Sequence, residues 1–79
     1  MPREKTFKRV YTFHTTTDAM AFENYCRGKG VPGRLIPVPG EISAGCGMCW
    51  VAGIGDGEAV DSAIESGGLR IQGAYILLL

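Results

Sequence analysis

The sequence has no excess of either charge. Its 79 residues include eight lysines and arginines, eight aspartates and glutamates, and a single histidine. Proteins that grip a nucleic acid backbone or an anionic membrane surface usually present clustered positive charge. The balanced charge therefore predicts no nucleic acid partner and no membrane partner.

Long apolar runs are missing as well. The closing run from Ile76 to Leu79 is far shorter than the roughly 20 apolar residues that a helix needs to cross a bilayer. Residues 1–9 contain no apolar stretch typical of a secretory signal, which predicts a cytoplasmic protein. In that reducing compartment, three cysteines favour catalysis, transfer or metal binding over a structural disulfide.

The chain also lacks a phosphate-binding fingerprint. The glycine-rich segment G-I-G-D-G at residues 53–57 does not have the spacing of a dinucleotide-binding loop or a P-loop. We interpret this segment as a turn that leads into a helix. No protein-bound organic cofactor is expected.

Patterns of apolar and turn-forming residues predict the order strand, helix, strand, strand, helix, strand. The predicted strands are residues 7–14, 34–38, 49–54 and 70–79. The first helix is expected to start within residues 15–18 and to stop at Gly28 and Gly30, and the second runs from the N-cap Asp56 to Gly67 and Gly68. The residues expected to be buried on the two helices are Ala19, Phe22, Cys26, Ala59, Val60, Ala63 and Ile64.

This order predicts an α+β fold in one domain spanning residues 1–79. Two βαβ units normally give a ferredoxin-like βαββαβ sandwich, in which a four-stranded antiparallel sheet carries both helices on one face. Prolines place strand 34–38 at a sheet edge. Val10 is expected to face the helices, with Tyr11 and Phe13 on the open face. Because the last strand is apolar on both sides, we predict a homodimer through the open sheet face.

The segment around Cys46 and Cys49 is the most informative part of the chain. Gly45 and Gly47 flank Cys46, so the backbone can adopt a tight turn and a second molecule can approach the sulfur closely. A C-x-x-C spacing allows two thiols to form a disulfide, share a metal or change each other's ionisation. The third cysteine, Cys26, is expected to be a core residue of the first helix.

The predicted topology brings further residues to the same end of the sheet. His14 ends the first strand beside the first helix, and Arg70 begins the last strand. A helix N-terminus carries a partial positive charge. Together with Arg70 or a protonated His14, it would favour the thiolate form of Cys46, which is the attacking form.

Three segments resemble one known family. They are A-M-A-F-E at residues 19–23, R-L-I-P-V-P at 34–39 and I-S-A-G-C-G at 42–47. Together they resemble a family of short bacterial proteins described as selenium/sulfur carrier-like. The resemblance implies that Cys46 is the carrier residue, holding a persulfide or selenosulfide between donor and acceptor proteins. Cys49 departs from the commoner family pattern, and we hypothesise that it modulates release by attacking a persulfide on Cys46.

A non-enzymatic carrier is the function favoured by these observations, with no metal site. One alternative is a thiol-disulfide redox protein using Cys46 and Cys49, although their motif does not open a helix as thioredoxin-type motifs do. Another is a metal site that combines these cysteines with His14 or with a second subunit, although a structural zinc normally takes four ligands. A small interaction module is the remaining alternative. The choice between sulfur and selenium, and the identity of the donor and acceptor, stay open.

Overall fold

Four antiparallel strands form one sheet in a computed structural model that describes residues 6–40 and 45–79. The elements are β1 (Phe7–Thr12), α1 (Thr16–Lys29), β2 (Arg34–Pro37), β3 (Met48–Gly53), α2 (Gly57–Gly67) and β4 (Gly73–Leu78). The strand order is β2-β3-β1-β4. Residues from both helices pack on one face of this sheet, which confirms the predicted α+β, ferredoxin-like class.

The ends of α1 follow from local chemistry. The side-chain oxygen of Thr15 accepts a hydrogen bond from the backbone N–H of Asp18 at 3.1 Å, which satisfies one free donor of the first turn. Gly30 ends the helix with a φ of 69°, in the left-handed region that favours glycine. The predicted helix start and the stop at Gly30 are confirmed, whereas Gly28 lies inside the helix.

The start of α2 differs from the prediction. Asp56 precedes the helix, but its side chain makes no capping hydrogen bond within the described residues. Residues Ile54–Asp56 instead form a short 3-10 turn that leads directly into α2. Val60 and Ala63 are buried as expected, Ile64 is partly buried, and Ala59 is exposed.

The main core lies between the sheet and the helices. The ring of Phe22 on α1 packs against Phe13 and Trp50, with ring centroids 5.1 and 5.4 Å apart. Tyr11 lies opposite Trp50 in the sheet and donates its hydroxyl to Asp61 of α2 at 3.0 Å. The predicted orientation of β1 is therefore wrong, because Tyr11 and Phe13 face the helices. These large rings fill the space between the sheet and α1.

The open face, which is the face of the sheet away from the helices, carries a smaller apolar cluster. Val10 and Cys49 are fully buried there and Val51 is nearly so, even in a single chain. The partly buried residues that pack against them are Ile36, Val38, Leu77 and Leu79. The middle of the open face is therefore buried without a second subunit.

Exposed apolar side chains are concentrated instead at the outer strand β4. Phe7, Ile76 and Leu78 are 60, 58 and 50% exposed. Phe7 is paired with Leu78, and Ile76 lies two residues before Leu78, so the three share one face of the sheet. Ile76 is paired with Arg9, whose guanidinium contacts Asp61 of α2, which identifies this face as the helix side.

Candidate functional site

Cys46 lies in a tight turn of residues 45–47, the Cys46 turn, immediately before β3. Gly47 has a φ of 75°, a conformation that favours glycine, and its carbonyl accepts a hydrogen bond from the N–H of Val38 at 3.0 Å. The backbone N–H of Met48 donates to Cys46 Sγ at 3.4 Å, and Cys46 Sγ can donate to the Met48 carbonyl at the same distance. The thiol is partly buried, and a backbone donor points at its sulfur.

Gly45 docks the Cys46 turn onto the end of β1. A Cβ atom at this position would lie only 2.5 Å from the carbonyl oxygen of His14, so a larger residue does not fit without movement. The N–H of Gly45 donates to Oε1 of Gln72 at 3.2 Å. Because His14 directly precedes Thr15, the turn lies beside the start of α1, at the end of the sheet where the site was predicted. The space left by the missing side chain of Gly45 is therefore occupied by the backbone of His14, and not by a second molecule.

Cys49 is in a different environment from Cys46. It is fully buried on the open face, where it is paired with Thr12 of β1 and Ile36 of β2. Burial, and secondarily the charge of Cys46, raises the pKa of Cys49 to about 11. Near neutral pH this thiol is protonated and is out of contact with solvent.

Cys26 is the third free thiol. It is fully buried on α1 among the aromatic residues of the main core, as predicted. Burial raises the pKa of Cys26 as well. None of the three cysteines, all of which lie in the described part of the chain, forms a disulfide.

The predicted supporting residues do not bond to the sulfur of Cys46, although the carbonyl oxygen of His14 lies against Gly45 of the turn. His14 and Arg70 are both exposed. Within residues 6–40 and 45–79, no hydrogen bond or ion pair joins either side chain to Cys46. Arg70 precedes the observed start of β4 at Gly73. The residue that does reach the turn is Gln72, which sequence reasoning missed.

The sequence offers a signal for the Gln72 contact, whereas the Met48 contact depends on the observed backbone. Gln72 is a polar, uncharged side chain next to the start of an otherwise apolar strand, where it can satisfy a free backbone group of a neighbouring turn. The Met48 donor follows from the positive φ of Gly47, which folds the N–H of Met48 back towards the Cys46 side chain. Ile42, Ser43 and Ala44 of the family-like segment lie outside the described residues.

A cavity on the open face lies away from the Cys46 turn. Its volume is about 620 Å³, and Lys8, Arg34, Val51 and Gly53 contribute to its lining. These residues lie at the end of β3 and the starts of β1 and β2, whereas the Cys46 turn precedes β3. Cys46 is not among the residues that line this cavity.

Metal-binding and membrane-spanning features were also sought in the structure. In the described ranges, no three or more histidine, cysteine or acidic residues are grouped so that they could hold a metal ion. No helix in those ranges has the length and apolar character required to cross a membrane.

Comparison with known proteins identifies a family but gives no similar individual protein. Neither the curated proteins nor the solved structures contain a significant match to the chain. The model of the family described as "Putative Se/S carrier protein-like" matches residues 8–76, which is most of the chain. Those residues include the Cys46 turn and all the strands and helices except the ends of β1 and β4. The chain therefore belongs to the Se/S carrier protein-like family.

Proposed function

We propose that Cys46 holds a sulfur or selenium atom, as a persulfide or selenosulfide, and carries it from a donor protein to an acceptor protein. The observation that supports this most strongly is the contrast among the three cysteines. Cys46 is partly exposed and accepts a backbone N–H, whereas Cys26 and Cys49 are fully buried. Membership of the carrier family supports the same function.

Loading requires no net oxidation or reduction. The Cys46 thiolate attacks the outer sulfur of a persulfide on the donor, whose S–S bond breaks. A new S–S bond forms on Cys46, and the donor leaves as a thiolate. Selenium is carried in the same way, with an S–Se bond on Cys46. The chain acts as a non-enzymatic carrier and needs no organic cofactor for this transfer.

The surroundings of Cys46 suit this exchange. The N–H of Met48 provides a hydrogen bond that an anionic sulfur accepts, and hydrogen bonds to charged groups are stronger than those between neutral groups. Arg70 is exposed two residues before Gln72, which bonds to the turn, so its positive charge can support an approaching persulfide anion. Gly45 and Gly47 allow the tight turn that holds Cys46, through the close contact with His14 and the positive φ of Gly47. A reducing, cytoplasmic location would keep Cys46 in its thiol form.

Loading can be tested by intact-mass measurement. The native chain is incubated with a cysteine desulfurase and cysteine, and in parallel with a selenocysteine lyase and selenocysteine. We expect a mass increase of one sulfur or one selenium atom per chain, reversed by dithiothreitol, because only one cysteine is accessible. An unchanged mass in both reactions, with release of sulfide and selenide showing that the enzymes are active, would contradict the proposal.

We also infer that two copies of the chain associate through β4. This strand is at the sheet edge, contains no charged residue, and has Ile76 and Leu78 exposed together with the adjacent Phe7. Such an edge has none of the charges or prolines that normally prevent strand pairing. The predicted interface on the open face is less well supported, because Val10 and Cys49 are already buried there.

Sedimentation equilibrium tests this association. We expect a mass of two chains for the native protein, and Ile76→Glu should weaken the dimer at least about tenfold because it places a charge in the interface. Met20→Glu is the matched control, since Met20 is 56% exposed but lies on α1. Tyr75→Glu tests the open face. A native chain that is monomeric at every concentration would rule out the dimer.

A further inference from the structure

The two cysteines of the C-x-x-C segment contact opposite faces of the sheet. Cys46 packs against the helix-side core, whereas Cys49 belongs to the open-face cluster with Val10 and Val51. Side chains alternate between the faces of a strand, so Cys49 cannot reach the helix side while its backbone remains paired. Despite their close spacing in the sequence, the two thiols are therefore not positioned to react with each other.

The pairing of β3 holds Cys49 in place from both sides. β3 is an inner strand, with β1 on one side and β2 on the other. Cys49 is opposite Thr12 in β1 and Ile36 in β2. A disulfide with Cys46 needs Cβ atoms about 4 Å apart in a defined orientation. Reaching that geometry requires Met48 and Cys49 to unpair, which would also expose the apolar open-face cluster.

The high pKa of Cys49 also disfavours its attack on Cys46. Its pKa is raised to about 11 by burial and then by the charge of Cys46. At neutral pH, a thiol with this pKa is in the attacking thiolate form in only about one molecule in ten thousand.

We propose that, while β3 stays paired, a sulfur atom on Cys46 is released only to a thiolate supplied by the acceptor, because the paired sheet keeps Cys49 from attacking it. This inference rests on the proposed carrier function. The acceptor thiolate attacks the outer sulfur of the Cys46 persulfide, the S–S bond to Cys46 breaks, and Cys46 leaves as a thiolate. The acceptor then carries the persulfide. Cys49 modulates release only when the start of β3 unpairs, and its attack then gives a Cys46–Cys49 disulfide and free sulfide.

A mixed disulfide on Cys46 that releases a coloured anion when it is attacked tests the isolation of Cys49 without any sulfur cargo. Cys46 of the native chain is treated with one equivalent of dithionitrobenzoate, which releases one thionitrobenzoate anion and leaves the other bound to Cys46. Attack by Cys49 would release the second anion and form the Cys46–Cys49 disulfide. The rate of this second release is measured by absorbance in buffer and in urea. Cys49→Ala is the control, since alanine suits the buried apolar site better than serine.

We expect the second release in buffer to be at least about 100-fold slower than in urea, and we expect Cys49→Ala to release the anion more slowly than the native chain in urea, where Cys26 is the remaining thiol that can attack. A release in buffer as fast as in urea would overturn the proposal, and so would labelling of Cys49 instead of Cys46 in the folded chain. Because the probe is thionitrobenzoate, this result is independent of whether a desulfurase loads the chain. Failure of the carrier function and failure of this inference are therefore distinguishable.

Discussion

Replacing Cys46 with serine is expected to abolish sulfur and selenium loading completely. Serine preserves the size of the side chain but cannot form a persulfide. Cys49→Ala and Cys26→Ala should still take up one atom per chain, because both thiols are fully buried and neither is reachable by a donor. Intact-mass measurement of the four proteins after the same desulfurase reaction gives the comparison.

The folded state of each variant must be checked in the same experiment. Cys46 is partly exposed, so serine there should change the free energy of unfolding little, and near-ultraviolet circular dichroism should match that of the native chain. Cys26→Ala and Cys49→Ala each remove a buried sulfur and should cost roughly 1 kcal/mol or more. Full loading of a folded Cys46→Ser protein would show that another thiol carries the atom.

Replacing Gly45 with alanine is expected to damage both the fold and the site. The new Cβ would lie 2.5 Å from the carbonyl oxygen of His14, a backbone atom that cannot rotate away. We expect a loss of about 1–3 kcal/mol in the free energy of unfolding, the usual cost of overpacking. Because the Cys46 turn must move from the end of β1, loading of Cys46 should also slow by about tenfold.

Gly40→Ala is the matched control for Gly45→Ala. An added Cβ at Gly40 meets no atom of residues 6–40 or 45–79 within 4 Å, and Gly40 does not have a positive φ. Its stability in urea unfolding should stay within about 0.5 kcal/mol of the native value or rise slightly. Equal stability and equal loading for the two variants would contradict the close docking of the Cys46 turn onto His14.

Much of the fold could be predicted because local signals agree with the tertiary structure. Thr15 caps the start of α1, Gly30 ends it with a positive φ, and Pro37 lies in β2, which is an edge strand. The faces of β1 could not be predicted in the same way. Val10, Tyr11 and Phe13 are all apolar, so alternation alone does not say which side faces the helices. The aromatic packing around Phe22 and the contact with Asp61 decide it.

The site was predictable as a segment but not in its detail. Glycines on both sides of Cys46 indicated a tight turn, and the topology indicated its neighbours at the end of β1. The C-x-x-C spacing suggested that Cys46 and Cys49 would act together. The structure separates them, because β3 begins at Met48 and turns the Cys49 side chain towards the open face. Where a strand starts within such a motif cannot be read from the spacing alone.

The carrier proposal depends on Cys46 as the residue that holds the sulfur. The most direct measurement is tandem mass spectrometry of the loaded native chain, alkylated without reduction and fragmented between Cys46 and Cys49. The extra sulfur atom is predicted on Cys46, with Cys26 and Cys49 carrying none. An extra sulfur on Cys49 or Cys26, with Cys46 unmodified, would contradict the account.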